Sequence, residues 1–537
     1  MTSPAAPQSR RIRRLARETF GFDRLRAGQE DAIRSVAAGR DTLAVLPTGW
    51  GKSAIYQLAA LLIPGPTVVV SPLIALQRDQ VQALLANEVT AAEANSQVSA
   101  GNRDEAFSRL AAGDLEFLFL APEQLATEGV LAQTAAARPS LFVVDEAHCI
   151  SSWGHDFRPD YLRLAEVARA LGRPPILALT ATAAPPVRAE IIDRLGLLDP
   201  NVVVRGFDRP NIHLAVKRFA TGEEKRAALV EAVAHATPPG IVYVATRRGA
   251  EEVADDLTAR DVSARPYHAG LAAGRRRDTE AEFADGRLPV VVATTAFGMG
   301  IDTANVRFVF HHDVADSLDS YYQEIGRAGR DGEPADAVLF YRPEDLGLRR
   351  FFASGGRVEV DQASHVAGAW ADEGPALDVD SLSEETGLSP TALRSLLREL
   401  EEAPDVAGGA RRPEEAAEHV VAARDARRRV EQSRVDMMRA YAESPGCRRQ
   451  LLLGYFGESL GEPCGNCDRC LEGAGEPETG SEASPFPVHS RVTHDAWGRG
   501  QVMDSSDGKL VVFFERAGYK TLALDMVLER SLLTAEG

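Results

Sequence analysis

Short, continuous apolar runs punctuate the chain from residue 41 to residue 313: DTLAVLP, TVVVSP, LEFLFLAP, SLFVVDE, ILALTAT, GIVYVAT, PVVVATT and VRFVFHHD. Each is followed by a polar or glycine-containing turn and then an Ala/Leu/Arg-rich stretch of helical character. A run that is apolar at every position, rather than at alternate ones, predicts a strand covered on both faces, and strands alternating with helices predict a parallel sheet. Eight such strands exceed one comfortable doubly wound sheet. The pattern therefore predicts two α/β domains, residues 1–205 and 206–345, joined through GFDRPNIHLAV at 206–216.

Beyond residue 345 the strand signal stops. Residues 346–425 read as a helical insertion, in which Gly387 marks a turn, Ser389 an N-cap, Pro390 a first helical position, and Leu393, Leu396, Leu397 and Leu400 a helical apolar stripe. This is either a helix-turn-helix or a plain helical hairpin with a leucine core. A cysteine-bearing domain is expected at 426–472, a disordered acidic linker at 473–485, and a small all-β, barrel-like module at 486–537, whose short alternating runs are separated by WGRG, SSDG and RAG turns.

Composition narrows the classes. The chain has 537 residues and a formal net charge of -18, which argues against holding nucleic acid by bulk attraction and leaves a local basic groove open. No apolar run reaches the roughly 18 residues that span a bilayer. A cytoplasmic protein with no membrane partner is expected. Four of the five cysteines, Cys447, Cys464, Cys467 and Cys470, crowd into one stretch, and two overlapping C-x-x-C steps plus one more distant thiolate suit a closed tetrahedral zinc site. Cys149 lies apart and is expected to be a buried packing residue.

Chemistry concentrates at strand ends. The strand DTLAVLP runs into Thr48-Gly49-Trp50-Gly51-Lys52-Ser53 and then a helical stretch. Glycines let successive N–H groups turn toward phosphate oxygens, Lys52 neutralises β/γ charge and Ser53 ligates magnesium. The glycine that opens the full phosphate-loop pattern is replaced by Leu46, and Trp50 is expected to pack outward. LFVVDEAH ends in Asp145, a magnesium ligand, and Glu146, which would position and activate the attacking water. In the second domain SYYQEIGRAGRDG supplies Gln323, Arg327 and Arg330, arginines suited to charge on a transferring phosphoryl group. ATP would then sit between the domains.

These motifs, with FGFDRLRAGQEDAI, DEAHCISSWGHDFRPDY, LTATA, YHAGL, VVATTAFGMGID and EPCGNCDRC, resemble the RecQ family of superfamily 2 DEAH-box DNA helicases, here in a short bacterial form. The resemblance covers about residues 15–345 and 430–471. It implies two tandem RecA-like domains and ATP-, Mg2+- and Zn2+-dependent 3′ to 5′ unwinding of tailed or forked DNA in repair or recombination, at the nucleoid. A motor that translocates without efficient unwinding is the alternative. It implies that Phe22 stacks on adenine while Arg26 and Gln29 bond its edge, that Asp302 belongs to the nucleotide site, and that Arg330 is the arginine finger with Arg327 beside it. Trp153, His155, Phe157 and Arg158 correspond to an aromatic-rich loop coupling DNA to hydrolysis, with core anchoring the alternative for the two aromatics. Ser71, Thr246, Arg247, Thr294 and Thr295 correspond to the single-strand track. Many family members follow the zinc region with a winged helix whose hairpin splits the duplex, and that element is not evident in this sequence. The last fifty residues resemble the Tudor-like C-terminal module of UvrD/PcrA-type helicases, implying a protein partner in the transcription or repair machinery, with Trp497 either a binding aromatic or core.

Overall fold

The computed structural model describes residues 5–151, 156–298, 303–354, 358–374, 377–402, 412–473, 485–487, 490–506, 508–514 and 517–536. They divide into two compact units, residues 1–342 with 441–479, and residues 343–440 with 480–537.

The first unit holds two parallel sheets. In the first lie β1 (Thr42–Val45), β2 (Thr67–Val70), β3 (Ala91–Glu93), β4 (Phe117–Leu120), β5 (Leu141–Val144), β6 (Ile176–Thr180) and β7 (Asn201–Val204), in the order β3-β4-β2-β5-β6-β1-β7. In the second lie β8 (Ile212–Arg218), β9 (Gly240–Tyr243), β10 (Ala264–Tyr267), β11 (Val290–Ala293), β12 (Phe308–His311) and β13 (Ala335–Tyr341), in the order β10-β11-β9-β12-β13-β8. The strands between the edges are buried at nearly every position, which is why they read as unbroken apolar runs. Strand order puts the ends of β1, β5 and β6 side by side, where a doubly wound sheet gathers its ligands.

One expectation needs correcting. Ile212–Val216, read as part of a linker, belongs to β8, the edge strand that pairs with β13 over seven residues. Its apolar face is half covered by the cysteine region, a partner more than 200 residues away in sequence, so no local pattern announces it.

In the second unit, helices Val360–Glu373, Val379–Thr386 and Pro390–Glu402 pack with the start of a long helix, Pro413–Glu443, around Leu382, Leu388, Leu393, Leu396, Leu397, Leu400 and Val420. Gly387 makes the turn at φ 68°, and the Ser389 hydroxyl accepts from Ala392 N at 3.3 Å, features that a helix-turn-helix and a plain helical hairpin share. In sequence, residues 358–402 carry eleven acidic side chains against two arginines, a balance unfavourable to contact with phosphates. The division expected between residues 425 and 426 falls inside the helix Pro413–Glu443, which runs on without a break. The last module is a five-stranded antiparallel sheet of β14 (Arg491–His494), β15 (Gly498–Ser506), β16 (Lys509–Phe514), β17 (Gly518–Ala523) and β18 (Thr534–Glu536), in the order β17-β16-β15-β14-β18. Gly518 lies so near the long helix that a Cβ there would sit 2.8 Å from Ser433 Cβ.

Candidate functional site: a nucleotide seam with a zinc clasp

Between β1 and the helix Lys52–Ala60 the chain turns through Gly49 (φ 75°) and Gly51 (φ 73°), left-handed conformations that favour glycine. Both also lack room for a side chain. A Cβ at Gly51 would lie 2.7 Å from Gln29 Nε2, and one at Gly49 would lie 3.0 Å from Cδ of Arg330, an arginine of the second sheet's domain. Lys52 donates to Leu46 O at 3.3 Å, and burial depresses its ammonium pKa against the opposing charges of Glu146 and Asp145. Trp50 turns aside: its Nε1 donates to Ala27 O at 3.3 Å, the Arg26 guanidinium lies 5.5 Å over its ring, and Gly206 abuts it.

Gln29 and Arg26 bond the loop itself in this structure. Gln29 Nε2 donates to the carbonyls of Trp50 (3.0 Å) and Gly51 (2.8 Å), and Arg26 Nη1 donates to Gly49 O. Nearby, Phe22 is 37% exposed and stacks on Phe20 at 5.7 Å. Thr48 sits half-buried at the head of the loop, and Ser53 lies next to Lys52 on the first helical turn.

The acid pair follows the fully buried β5. Glu146 is a non-glycine residue at φ 49°, a conformation that costs about 1–2 kcal/mol and signals a fixed side-chain direction. Burial, and then the neighbouring Glu146 charge, push the Asp145 pKa up. Such a pair is short of positive charge, which fits a divalent cation beside Ser53. From Glu146 a polar path crosses the sheet. Glu146 Oε2 lies 3.3 Å from His148 Nδ1, His148 Nδ1 lies 2.8 Å from Thr180 Oγ1, Thr180 Oγ1 donates to Thr182 O at 2.9 Å, and Gln323 Nε2 donates to Thr182 Oγ1 at 3.0 Å. Gln323 lies on the helix Leu318–Ile325, capped by Ser317, so the path ends in the second domain.

Arg327 and Arg330 leave the end of that helix. Arg327 is buried, with Nε and Nη1 lacking a hydrogen-bond partner among the described residues, and Arg330 lies against the phosphate loop. An arginine buried with unmet donors suits an anion that arrives later.

The other predicted residues line strand ends. Ser71, just past β2, is buried, and its hydroxyl lacks a partner among the described residues. Thr246 caps the helix Arg247–Thr258 by accepting from Gly249 N at 3.0 Å, Arg247 and Thr295 are exposed, and Thr294 closes β11. Arg158 donates to Asp156 at 2.9 and 3.2 Å and to Pro72 O at 3.2 Å, joining the loop after the acid pair to the Ser71 segment, and Phe157 beside it is half-buried. Trp153, His155 and Asp302 lie outside the described residues. Sequence reasoning missed Tyr161, fully buried, whose hydroxyl donates to Asp145 O at 2.9 Å, and gave no role to His148 or Thr182. The signal for all three was their place in motifs, His148 and Tyr161 in DEAHCISSWGHDFRPDY and Thr182 in LTATA.

The four thiols of Cys447, Cys464, Cys467 and Cys470 lie within 4.8 Å of one another. The separations 464–470 (3.9 Å), 447–467 (4.0 Å) and 467–470 (3.5 Å) match the edge of a tetrahedron with metal–sulfur bonds of about 2.3 Å, roughly 3.8 Å. The cluster therefore fits zinc. It is stitched to β8: Leu214 bridges Cys467, Val216 N donates to Asp468 Oδ2 at 2.9 Å, and Arg449 Nη2 donates to Ile212 O at 2.7 Å. Phe456 stacks on Phe207 at 4.5 Å. The exposed sheet edge is thus covered. In the last module Trp497 stacks on His494 at 4.1 Å, lies under Lys520 and packs against the module's core, which favours the core reading.

Comparison with known proteins agrees with this geometry. Residues 26–190 match the DEAD/DEAH box helicase family, 224–332 the helicase conserved C-terminal domain and 410–471 the RecQ zinc-binding family. The chain is 37% identical over 454 residues to the ATP-dependent DNA helicase RecQ of Pasteurella multocida, covering 84% of this chain and 61% of the relative. It is 42% identical over 332 residues to the probable ATP-dependent DNA helicase RecS of Bacillus subtilis, covering 62% and 66%. It thus spans about three fifths of the length of the bacterial RecQ proteins it matches. The fold resembles the helicase Lhr of Mycobacterium smegmatis bound to single-stranded DNA and a nucleotide analogue, with TM-score 0.51, 22% identity and 73% and 57% of the two chains covered. On its paired parallel sheets, its motifs and its four-cysteine cluster, the chain belongs to the RecQ family of ATP-dependent DNA helicases.

Proposed function

We propose that the chain is an ATP- and magnesium-dependent motor that unwinds tailed or forked DNA in the 3′ to 5′ direction, in repair or recombination at the nucleoid. The observation that carries this reading is the contact of Arg330 with Gly49, across the seam between the two sheets. ATP bound on the loop would have its adenine against Phe22, with Arg26 and Gln29 exchanging loop carbonyls for the base edge, and the family resemblance adds Asp302 to the nucleotide's residues. Thr48, Gly49, Gly51 and Lys52 would hold the phosphates. Ser53 and Asp145 would hold magnesium, which neutralises charge on the β/γ-phosphates. Glu146 would orient the attacking water and accept its proton, while Arg330 and Arg327 bind the equatorial oxygens of the transferring phosphoryl group, a contribution of about 10³–10⁵ in rate.

Loss of the γ-phosphate removes the anion that holds the arginines, and the Gln323–Thr182 contact couples that loss to Glu146 through Thr180 and His148. The seam then loosens. Ser71, Thr246, Arg247, Thr294 and Thr295 would grip the single strand by its phosphates, and Trp153, His155, Phe157 and Arg158 would report its presence to the acid pair through Tyr161. Zinc on Cys447, Cys464, Cys467 and Cys470 serves folding. A transcription or repair protein would dock on the C-terminal sheet. A motor that translocates without unwinding is favoured by one observation: the described residues from 490 onward fold as an antiparallel sheet, where many relatives place a duplex-splitting wing.

Strand displacement on duplexes with a 3′ or a 5′ single-stranded tail tests the proposal. ATP-dependent separation of the 3′-tailed substrate alone is expected. DNA-stimulated hydrolysis without separation on either would replace it with the translocase.

A further inference from the structure

We propose that the arginine face of the helix Ala5–Phe20 is a docking surface for the phosphate backbone of duplex DNA. In a chain of net charge -18, residues 10–17 hold five arginines and no acidic residue. The opposite side of the helix fixes its rotation, since Ile12 and Ala16 are buried in the core of the first sheet's domain and Leu15 and Phe20 pack on that core. At about 100° per residue, Arg10, Arg13, Arg14 and Arg17 fall within an arc of roughly 100° that faces away from it. The side chains of Arg13 and Arg14 are 67% and 70% exposed. Their partners, Glu30 at 2.9 Å and Glu18 at 3.8 Å, form the exposed kind of ion pair worth at most about 1 kcal/mol, weak enough to exchange for phosphate. Beside the helix a concavity of about 370 Å³ gathers Arg13, Arg17 and Arg24, with Asp23, Glu30 and Phe22 also on its wall.

The row spans about 10 Å, and each strand of a duplex presents one charge per roughly 3.4 Å of axis, so about two or three phosphates of one strand lie within reach. A lipid surface is a poor match because the apolar face is already spent on the core. A single strand already has its track at Ser71, Thr246 and Thr294. The inference rests on the reading that the protein acts on DNA.

Binding of a fluorescent blunt duplex to the full chain, without nucleotide and across a salt series, tests it with the triple variant Arg10→Gln/Arg14→Gln/Arg17→Gln. The expected result is binding weakened about tenfold or more at low salt, and a plot of log K against log salt shallower by about 2. The corresponding triple lysine variant should keep the slope, which separates charge from folding. ATP hydrolysis without DNA should be unchanged. An unaltered slope in the glutamine variant, or equally tight binding of the wild type to polyglutamate, overturns the proposal. Single-strand-stimulated hydrolysis measured on the same proteins reports separately on the motor.

Discussion

Gly49→Ala puts the seam under direct strain. Two costs follow from the geometry. The backbone there has φ 75°, so a side chain costs about 1–2 kcal/mol of left-handed strain. The new Cβ would also sit 3.0 Å from Arg330 Cδ and 3.2 Å from its Nε, so the arginine must give way by a few tenths of an ångström or more. Misplacing a catalytic group by about 1 Å is worth on the order of 100-fold in rate, whereas losing an arginine finger outright is worth about 10³–10⁵. DNA-stimulated ATPase of Gly49→Ala should therefore fall about 100-fold in kcat, and Arg330→Ala further. In a double-mutant cycle, adding Gly49→Ala to Arg330→Ala should cost clearly less than it costs the wild type, because only the backbone strain remains and the group it displaces is already gone. Purely additive losses would refute the reasoning, for they would mean that Gly49 acts through the loop alone. So would a Gly49→Ala enzyme with unaltered kcat.

Other perturbations probe separate links. Tyr161→Phe removes the hydroxyl bonded to Asp145 O, and should reduce stimulation by single-stranded DNA several-fold while leaving the basal ATPase and Tm nearly unchanged. Asp313 is half-buried beside the buried Lys225, 3.2 Å away; desolvation alone would raise its pKa, but the hydrogen bond and charge of His312 and the charge of Lys225 outweigh it and hold it well below the usual range. Its stabilisation is thus present above about pH 4 and is lost as pH falls through the depressed value, so Asp313→Asn should cost about 3–5 kcal/mol in neutral denaturant titrations and flatten the acid limb of stability against pH. Cys467→Ser should abolish stoichiometric zinc by metal analysis and, since Cys467 bridges β8, lower Tm. Leu393→Ala in the helical insertion should cost about 2–5 kcal/mol locally, read by hydrogen exchange, with little effect on ATPase.

How much of this was legible in the sequence depends on where each residue's partners lie. Strands β1, β2, β4, β5, β6, β9, β11 and β12 announce themselves because both faces are buried. The edge strands β3, β7, β8 and β10 do not: AAE, NVVV, IHLAVKR and ARPY are short, or carry the polar residues and proline that an edge tolerates. β13 was passed over although apolar, because it follows the arginine motif and pairs in part with that hidden edge. The chemistry of Lys52, Asp145, Glu146 and the four cysteines is local in spacing and could be read directly. Tyr161 ends the DEAHCISSWGHDFRPDY motif, but its partner is a carbonyl, so the motif does not show what its hydroxyl holds. Gln29 and Arg26 bond the loop carbonyls in this structure, which no side-chain pattern signals, since an amide and a guanidinium serve a carbonyl as readily as a base edge.

The central claim is that the two sheets close on a nucleotide triphosphate gripped by the loop around Lys52, and that its hydrolysis drives movement on DNA. The most direct measurement is ATP turnover by Lys52→Ala in the presence of single-stranded oligonucleotide, beside the wild-type protein. A fall of at least about 100-fold is predicted, since the substitution removes the ammonium that would face the β/γ-phosphates on the first turn after the loop. Turnover equal to that of the wild type would contradict the account.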